Sequence, residues 1–479
     1  MKLYPQQRDV LHAAWSGRGL FGQIPVGNGK TLISALLPTA VGAKRPLLLI
    51  PGSMRRATAR LRDSYGTLPA CEIMSYEALS APAARRALFD LRPDCVILDE
   101  AHAVCGVSNR ARRIAEWVRE AGPVVCALSG TLLGQRVEVA CTAAELVWRE
   151  RSPLPRHRRD VLSLSRLVHG TGDARDAIRW ARAYGPRDPV MASIAKRICA
   201  TPGGVVLPSV GCPASIVVEV VPYEQQPIIT DALTRLGETW ELDGVILCDA
   251  TQTADTARQL RSGFYYRPRA PMPAAWQDAR RAWSRAVRQY ARQGNEADSE
   301  ALIVRALTAG TLRHKGLADA WTSWRLWATL PMPPSDPVWL DTGRVRAAAS
   351  LADGGLVWYR YDAEGEALAS LGLPRTPHGR DPEAGPAVVS VGAHGTGRNL
   401  QAFARSTLIA PLPAGLAGSA SDRWEQLIGR THRAGQLADV VRVVVLDDGC
   451  GDLERAVEAA KVDAEARGER GKLLLGLGE

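Results

Sequence analysis

The sequence predicts an α/β protein built on two parallel β-sheets. Short apolar runs, each closed by a small or polar cluster, recur at both ends of the chain, and amphipathic stretches typical of helices lie between them. Buried strands that alternate with helices indicate parallel sheets covered on both faces. The runs fall into two groups, before about residue 135 and after about residue 350, so we expect two sheets. The strand-like runs are residues 47–50, 96–98, 124–128, 356–359, 388–391, 407–409 and 440–446.

The length of the chain supports a division into lobes. Its 479 residues exceed what a single hydrophobic core usually spans. We predict a first lobe over residues 1–205 and a second lobe over residues 206–479. Residues 255–335 have a helical pattern that is rich in Trp and Arg and ends at a proline cluster. We therefore expect a helical insertion in the second lobe.

The tryptophans of this insertion admit two interpretations. Trp276 and Trp283 share one helical face with Tyr290, which favours a small hydrophobic core made by amphipathic helices. The alternative is a nucleic-acid clamp, with arginines on phosphates and aromatic rings on bases. The helical spacing explains the tryptophans as core residues, whereas the arginines can still contact phosphates.

Composition narrows the classes of partner. Lys and Arg total 60 against 50 Asp and Glu, a formal charge of +10, which favours a polyanion. No apolar run reaches the roughly 18 residues of a membrane span. The first residues also lack the apolar stretch of a secretory signal. We therefore expect a cytoplasmic protein with no membrane partner, and a protein partner stays open.

A glycine-rich loop is the strongest local motif. Gly27, Asn28, Gly29, Lys30 and Thr31 stand just before an apolar helical stretch. Glycines let the backbone wrap around phosphate oxygens, so that amide groups and the N-terminus of the following helix face the anion. The lysine adds a charge for the β- and γ-phosphates, and the threonine hydroxyl can ligate Mg²⁺. The loop predicts a nucleoside-triphosphate site, although one glycine of the strict pattern is missing.

Two carboxylates follow a buried strand. Asp99 and Glu100 end the apolar run of residues 95–98, in the same lobe as the glycine-rich loop. The carboxyl end of a strand places Asp99 beside the phosphates, where it can hold Mg²⁺. Glu100 is then the group that orients and deprotonates the attacking water. An Asp-Glu pair can instead cap a helix, but the upstream loop makes that alternative less favourable.

A pair of arginines lies near the C-terminal end of the sequence. Arg430 and Arg433 are three residues apart, so they share one face of a helix. Their guanidinium groups can neutralise charge on the γ-phosphate in the transition state, as arginine fingers do. Two lone arginines would more often belong to a solvated basic helix. The surrounding residues 423–436, however, form a pattern that is much more specific than the two arginines alone.

Together these motifs resemble the ordered motifs of superfamily 2 helicases. Residues 99–102, Asp-Glu-Ala-His, are similar to motif II, and residues 27–31 are similar to motif I. Residues 128–131, Leu-Ser-Gly-Thr, resemble motif III, and residues 392–401 resemble motif V. Residues 429–436, Gly-Arg-Thr-His-Arg-Ala-Gly-Gln, closely resemble motif VI of the chromatin-remodeller-like (sucrose-non-fermenting-like) branch. The size of the chain resembles the small phage and bacterial forms.

The resemblance implies a DEAH-type motor of two RecA-like lobes, with ATP and Mg²⁺ bound between them. It implies catalytic roles for four residues, Lys30, Glu100, Arg430 and Arg433, and Mg²⁺ ligation by Thr31 and Asp99. The residues implied in nucleotide binding are Gln7, Gly27, Asn28, Gly29, Lys30, Thr31, Leu32, Gly397 and Gln426. The residues implied in coupling or nucleic-acid contact are His102, Ser129, Thr131, Thr396 and Asn399.

The implied partner is nucleic acid, and the form of motif VI favours double-stranded DNA. The implied activity is an ATP-dependent helicase or translocase, in the host cytoplasm if the form is that of a phage. Two alternatives stay open. One is an RNA helicase with the same ATP chemistry, and the other is a nucleotide-gated nucleic-acid-binding protein without motor activity.

Overall fold

A computed structural model describes most of the chain. The described residues are 3–25, 28–55, 58–59, 70–80, 84–105, 109–133, 137–168, 172–173, 175–176, 178–180, 190–207, 212–291, 293, 300–383, 385–395, 398–413, 420–433, 435–467 and 470–478. The strands are β1 (Leu20–Gln23), β2 (Pro46–Ile50), β3 (Glu72–Ser75), β4 (Cys95–Asp99), β5 (Val124–Ser129), β6 (Gly204–Val206), β7 (Ser215–Pro222), β8 (Glu241–Leu242), β9 (Val245–Ile246), β10 (Phe264–Pro268), β11 (Ser335–Trp339), β12 (Leu356–Tyr359), β13 (Ala387–Ser390), β14 (Arg405–Leu408) and β15 (Val440–Asp447).

Helices alternate with these strands in both halves of the chain. They are α1 (Pro5–Gly17), α2 (Lys30–Val41), α3 (Ala84–Leu91), α4 (Asn109–Ala121), α5 (Val137–Trp148), α6 (Arg158–Val168), α7 (Val190–Cys199), α8 (Pro227–Thr239), α9 (Ala250–Arg261), α10 (Ala274–Ala291), α11 (Glu300–Thr308), α12 (Lys315–Trp324), α13 (Gly343–Ser350), α14 (Asp362–Ser370), α15 (Val391–His394), α16 (Ala420–Thr431), α17 (Asp452–Arg467) and α18 (Lys472–Leu477). Among the helices that the structure describes, none has the length and apolar character to cross a bilayer.

Two large sheets organise the chain, and every strand pair within them is parallel. The first sheet has six strands in the order β3-β2-β4-β5-β1-β6, and the second has five in the order β13-β12-β14-β15-β7. The prediction of an α/β fold with two parallel sheets is therefore confirmed. Strand β6 belongs to the first sheet and β7 to the second, so the chain crosses between the sheets after residue 206.

The strands of the first sheet are apolar throughout because both of their faces are covered. Successive side chains of a strand point to opposite faces. In β4, Val96 and Leu98 pack into one core with residues of α4 and α5, such as Trp117. Cys95 and Ile97 pack into a second core on the other face, with residues of α1 and α2. The sheet is thus the middle layer of three.

The second sheet repeats this arrangement. Trp358 of β12 packs on one face with Trp424 of α16, and its neighbours Val357 and Tyr359 pack on the other face with Val345 of α13. All five of these side chains are almost fully buried. The second lobe therefore has its own three-layer core.

The segment between β7 and β12 forms a smaller unit with helices and short strands. The predicted helical region also contains β10, and its end is marked by β11, which pairs with β10 in antiparallel register. The three consecutive aromatic residues at the start of β10 favour a strand, because aromatic side chains are enriched in strands. Trp276, Trp283 and Trp324 pack together in a core of α10, α11 and α12. These three tryptophans are core residues, as the helical spacing predicts.

The parallel order of the first sheet gathers strand ends at one edge. Gln23, the last residue of β1, lies opposite Ser129, the last residue of β5. Asp99, the last residue of β4, lies opposite Leu128. The carboxyl edge of an open parallel sheet is where α/β proteins usually bind ligands. Asp99 and Ser129, two of the predicted site residues, lie at this edge.

Candidate active site

The glycine-rich loop leads from β1 into α2. Gly29 caps α2 with a left-handed φ of 70°, and Lys30 begins the helix. A Cβ atom on Gly29 would lie 2.4 Å from Nε2 of Gln7. The buried Gln7 amide donates a hydrogen bond to the carbonyl of Asn28 at 3.4 Å. Gln7 is therefore in contact with the loop, and Gly27 lies outside the described residues.

Lys30 occupies a defined position beside the strand ends. Its ammonium group donates to the carbonyl of Ile24 at 3.1 Å and lies 3.4 Å from Oε1 of Glu100. Thr31 and Leu32 follow in the first turn of α2 and are half-buried. The first amide groups of a helix have no acceptor within it, so this turn is a suitable binding site for an anion.

The two carboxylates follow β4 as predicted from the sequence. Asp99 is buried, and its Oδ2 lies 3.5 Å from the hydroxyl of Ser34 in α2. Glu100 has a left-handed φ of 56°, a conformation that is uncommon for a residue with a side chain and that recurs at functional sites. Asp99 and the nearby hydroxyl of Ser34 are oxygen ligands of the kind that Mg²⁺ prefers, and the predicted ligand Thr31 lies in the same turn of α2, so this donor set fits the ion.

The two carboxylates differ in their affinity for protons. Burial raises the pKa of Asp99, and the charge of Glu100 raises it further, while Lys30 acts in the opposite sense. Burial also acts to raise the pKa of Glu100, but the charge of Lys30 overcomes it, together with the charge of Arg430 and a hydrogen bond from Ser129, and lowers that pKa. Glu100 is therefore the carboxylate that stays ionised, as a general base requires.

A hydrogen-bond network connects Glu100 to the end of β5. The hydroxyl of Ser129 donates to Oε2 of Glu100 at 3.2 Å, and Nδ1 of His102 lies 2.8 Å from the same hydroxyl. The backbone N–H of Thr131 donates to Ser129 Oγ at 3.1 Å. Ser129 of the predicted motif III is thus in direct contact with the predicted base, and Thr131 is linked to it through Ser129. Burial lowers the pKa of His102, so its ring is neutral near pH 7.

Arg430 lies in the second lobe near the end of α16. Its Nε donates to the carbonyls of Gly395 and Gln426, at 3.0 and 3.1 Å, and its Nη1 donates to the carbonyl of Arg398 at 3.3 Å. Burial lowers the pKa of Arg430 to about 10, so the guanidinium is still charged near pH 7. Three carbonyl contacts fix its position relative to the predicted motif V segment.

Arg433 and Asn399 lie beside Arg430. Nη1 of Arg433 donates to the side-chain oxygen of Asn399. Gln426 is half-buried, and its backbone carbonyl accepts from Arg430, whereas no hydrogen bond of its side chain is described. Thr396 and Gly397 lie outside the described residues.

The two lobes meet at these charged groups. The positive charge of Arg430, from the second lobe, helps to lower the pKa of Glu100, from the first lobe. The charge of Glu100 acts to raise the pKa of Arg430, but the effect of burial is larger and that pKa is lowered. Lys30 of the first lobe and Arg430 of the second therefore both act on the Glu100 carboxylate, and the candidate cleft is the place where these groups of the two lobes come together.

Sequence reasoning missed Gln23, which links the strand ends of the first lobe. Its Nε2 donates to the carbonyl of Gly130 at 2.6 Å, and its Oε1 accepts from the N–H of Leu133 at 3.0 Å. Gln23 is almost fully buried. A polar residue at the end of an apolar strand, just before the glycine-rich loop, was the only sequence signal. The contact holds the motif III segment against β1.

Sequence reasoning also missed a cavity lined by arginines in the second lobe. It lies beside Leu408, the last residue of β14, and Asp448, which follows β15. Burial lowers the pKa of Arg423, and the charges of Arg360 and Arg258 lower it further. Carboxylates of the same lining balance part of this charge, because Asp448 pairs with Arg344 at 3.1 Å and Asp452 with Arg258 at 3.6 Å. The arginines of the cavity are Arg258, Arg261, Arg344, Arg360 and Arg423. They come from separate segments of the sequence, so no local motif predicts their meeting.

Neither a scan against protein-family models nor a search of curated proteins gave a match for this chain. The functional assignment therefore depends on the motifs and on the geometry of the cleft.

Proposed function

We propose that the protein is an ATP-dependent DNA helicase or translocase of superfamily 2, with two RecA-like lobes of the chromatin-remodeller-like branch. One observation carries the proposal. Lys30 and Glu100 of the first lobe lie 3.4 Å apart, and the charge of Arg430 from the second lobe acts on the same carboxylate. A site that needs groups from both lobes allows ATP binding and hydrolysis to close and reopen the cleft.

Each residue of the cleft has a role in this proposal. Lys30 binds the β- and γ-phosphates, and Thr31 and Asp99 hold Mg²⁺, which neutralises phosphate charge when it is bound. Glu100 orients and deprotonates the attacking water, and its lowered pKa keeps it ionised. Arg430 neutralises charge that develops on the γ-phosphate, with Arg433 beside it. The remaining predicted nucleotide contacts are Gln7, Gly27, Asn28, Gly29, Leu32, Gly397 and Gln426.

The Ser129 network supports a coupling role. Ser129 contacts both Glu100 and His102 through one hydroxyl. A change at the γ-phosphate that moves Glu100 would therefore move the segment that contains Thr131. In this proposal that segment reports the state of ATP to the nucleic-acid-binding surface. Thr396 and Asn399 provide the corresponding contacts from the second lobe.

Double-stranded DNA is the proposed partner. Arg423 lies beside Arg258 and Arg360 at the carboxyl edge of the second sheet, and this local charge supports a polyanion, because phosphate contacts supply most of the affinity of such proteins. The formal charge of +10 acts in the same direction. An RNA helicase fits the same cleft, and the form of motif VI is what favours DNA. The proposed compartment is the cytoplasm.

The test is ATP hydrolysis by the purified protein with no polymer, duplex DNA, single-stranded DNA and RNA in parallel. We expect duplex DNA to stimulate phosphate release most, and we expect Glu100→Gln to abolish the stimulation. Stimulation by RNA alone would select the RNA helicase. ATP binding without turnover on any polymer would select the nucleotide-gated binding protein.

A further inference from the structure

The insertion between β7 and β12 contains a large cavity with aromatic walls. Its volume is about 770 Å³, which lies in the range of ligand-binding clefts. Four tryptophans line it, together with Met272, Leu330 and Met332. The tryptophans are Trp276, Trp321, Trp324 and Trp327. None of these residues belongs to the motifs that form the ATP cleft.

Two of the tryptophans close the cavity and two remain partly accessible. Trp276 and Trp324 are each 5% exposed, and their rings meet edge to face at 5.2 Å. Trp321 and Trp327 are half-buried, so part of each indole can still contact a ligand. Both also pack against the core of the insertion, which holds each indole in place beside the cavity.

A fixed polar group lies at the wall of the cavity. The guanidinium of Arg280 pairs with Glu300 at 2.7 Å and lies over the ring of Trp324, 4.7 Å from its centroid. Glu300 also accepts from the indole nitrogen of Trp283 at 2.7 Å. These contacts hold the aromatic walls in a defined geometry before any ligand binds, which lowers the entropic cost of binding.

The surroundings of the cavity are basic. Residues 264–339 contain eleven Lys and Arg and six Asp and Glu, so this segment has a net charge of +5 out of +10 for the whole chain. Arg267 lines the cavity and is exposed, and Arg305 and Arg325 are exposed on α11 and just after α12. The lining itself balances three arginines against the carboxylates of Asp243, Asp249 and Glu300, so the excess positive charge lies on the exposed arginines around the cavity.

We propose that this cavity binds a single-stranded segment of nucleic acid, with unpaired bases stacked against Trp321 and Trp327. The phosphates contact the exposed arginines, beginning with Arg267. Bases of a duplex are already stacked on one another and cannot enter, whereas unpaired bases stack on aromatic side chains regardless of sequence. The inference rests on the proposed nucleic-acid motor, to which it adds a second contact that distinguishes single strands from duplex.

The test measures binding of a labelled oligothymidylate by fluorescence anisotropy, without ATP, for the whole protein. Trp327→Ala should weaken binding about 10-fold or more, because stacking of a single base on an aromatic side chain has an effect of that size. Trp327→Phe, which keeps an aromatic ring, should retain most of the affinity. Trp15→Ala is the matched control, because Trp15 is 64% exposed and lies on α1 of the first lobe.

A second variant avoids any effect on the core of the insertion. Arg267→Ala removes an exposed side chain, and we expect weaker binding with a less steep dependence on salt concentration. Arg86→Ala, at an exposed position on α3, should change neither quantity.

The result that would overturn the inference is equal oligothymidylate affinity in wild type, Trp327→Ala and Arg267→Ala. The cavity would then be assigned to a protein partner. An equal loss in the Trp15→Ala control would overturn it as well. Because binding is measured without ATP, these outcomes are independent of hydrolysis. DNA-stimulated ATP turnover together with unchanged binding would reject this inference and leave the proposed function intact.

Discussion

The ammonium group of Lys30 lies 3.4 Å from the carboxylate of Glu100, and both side chains are nearly buried. Each group therefore partly neutralises the other. A triphosphate that binds Lys30 would release part of this neutralisation. The freed carboxylate could then accept a hydrogen bond from water, which links phosphate binding to activation of the base.

Replacement of the lysine should remove this link. We expect Lys30→Ala to lower the rate of ATP hydrolysis by at least about 100-fold, the usual effect of losing a group that stabilises charge in the transition state. Lys44→Ala is the matched control, because Lys44 is an exposed lysine just after the same helix. Steady-state phosphate release checks the prediction, and equal rates in the two variants would contradict it.

Gly29 and Gly42 cap opposite ends of α2 in the same left-handed conformation, with φ values of 70° and 71°. Alanine at either position costs about 1 to 2 kcal/mol for that backbone. Only at Gly29 would the new methyl group meet the amide of Gln7, at 2.4 Å. We expect Gly29→Ala to weaken ATP binding about tenfold, which is about 1.4 kcal/mol.

Gly42→Ala controls for the backbone, since a Cβ there meets nothing within 4 Å. It should lower the free energy of unfolding and leave ATP affinity unchanged. Titration of a fluorescent ATP analogue measures the difference. Equal affinities in the two alanine variants would mean that Gln7 and the loop do not contact the nucleotide.

Arg433 can be removed with less structural damage than Arg430, because Arg430 is buried and donates to three carbonyls. We expect Arg433→Ala to reduce turnover by up to about 10³-fold with a smaller change in ATP affinity, as for an arginine that acts in the transition state. Arg442→Ala, at an exposed position on β15, should have no effect. A loss of affinity as large as the loss of turnover would assign Arg433 to ground-state binding.

His394 makes the stability of the second lobe depend on pH. Burial lowers the pKa of this histidine, as do the charges of Arg398 and His378, and its Nδ1 accepts a hydrogen bond from the N–H of Ser390 at 3.1 Å. The folded state therefore keeps the ring neutral at pH values where the unfolded chain, with a pKa of about 6.5, takes up a proton. The free energy of unfolding must then fall as the pH decreases through this range.

Urea unfolding of wild type and His394→Asn at about pH 7.5 and about pH 5.5 isolates this effect, because the pH range spans the titration of histidine. Asparagine lacks the titrating ring, so other ionisable groups contribute equally to both proteins. We expect wild type to lose stability relative to the variant as the pH falls. A difference that is constant, or that grows in favour of wild type, would show that His394 does not titrate in this range.

The first lobe was largely predictable because its signals are local. The glycine-rich loop, Asp99 and Glu100 each lie at the end of an apolar strand, and parallel pairing brings those ends to one edge. Strand length and alternation depend on neighbouring residues, which the sequence displays directly. Contacts that join distant segments were not predictable, and the two hydrogen bonds of Gln23 to Gly130 and Leu133 are an example.

The insertion shows which features of a structure cannot be predicted from sequence spacing alone. Helical spacing explains why Trp276 and Trp283 are buried, but the spacing of Trp321, Trp324 and Trp327 does not reveal which indole stays exposed. That outcome depends on how α10 and α12 pack. The arginine-lined cavity is a similar case, because Arg258 and Arg423 meet only after the second sheet has formed.

The most direct test of the account is phosphate release from ATP with and without duplex DNA, by wild type and Glu100→Gln. The account predicts that duplex DNA raises the rate of wild type, and that the variant still binds ATP but shows neither basal nor stimulated hydrolysis. Hydrolysis by wild type that no nucleic acid accelerates, or a Glu100→Gln variant that hydrolyses ATP as fast as wild type, would contradict it.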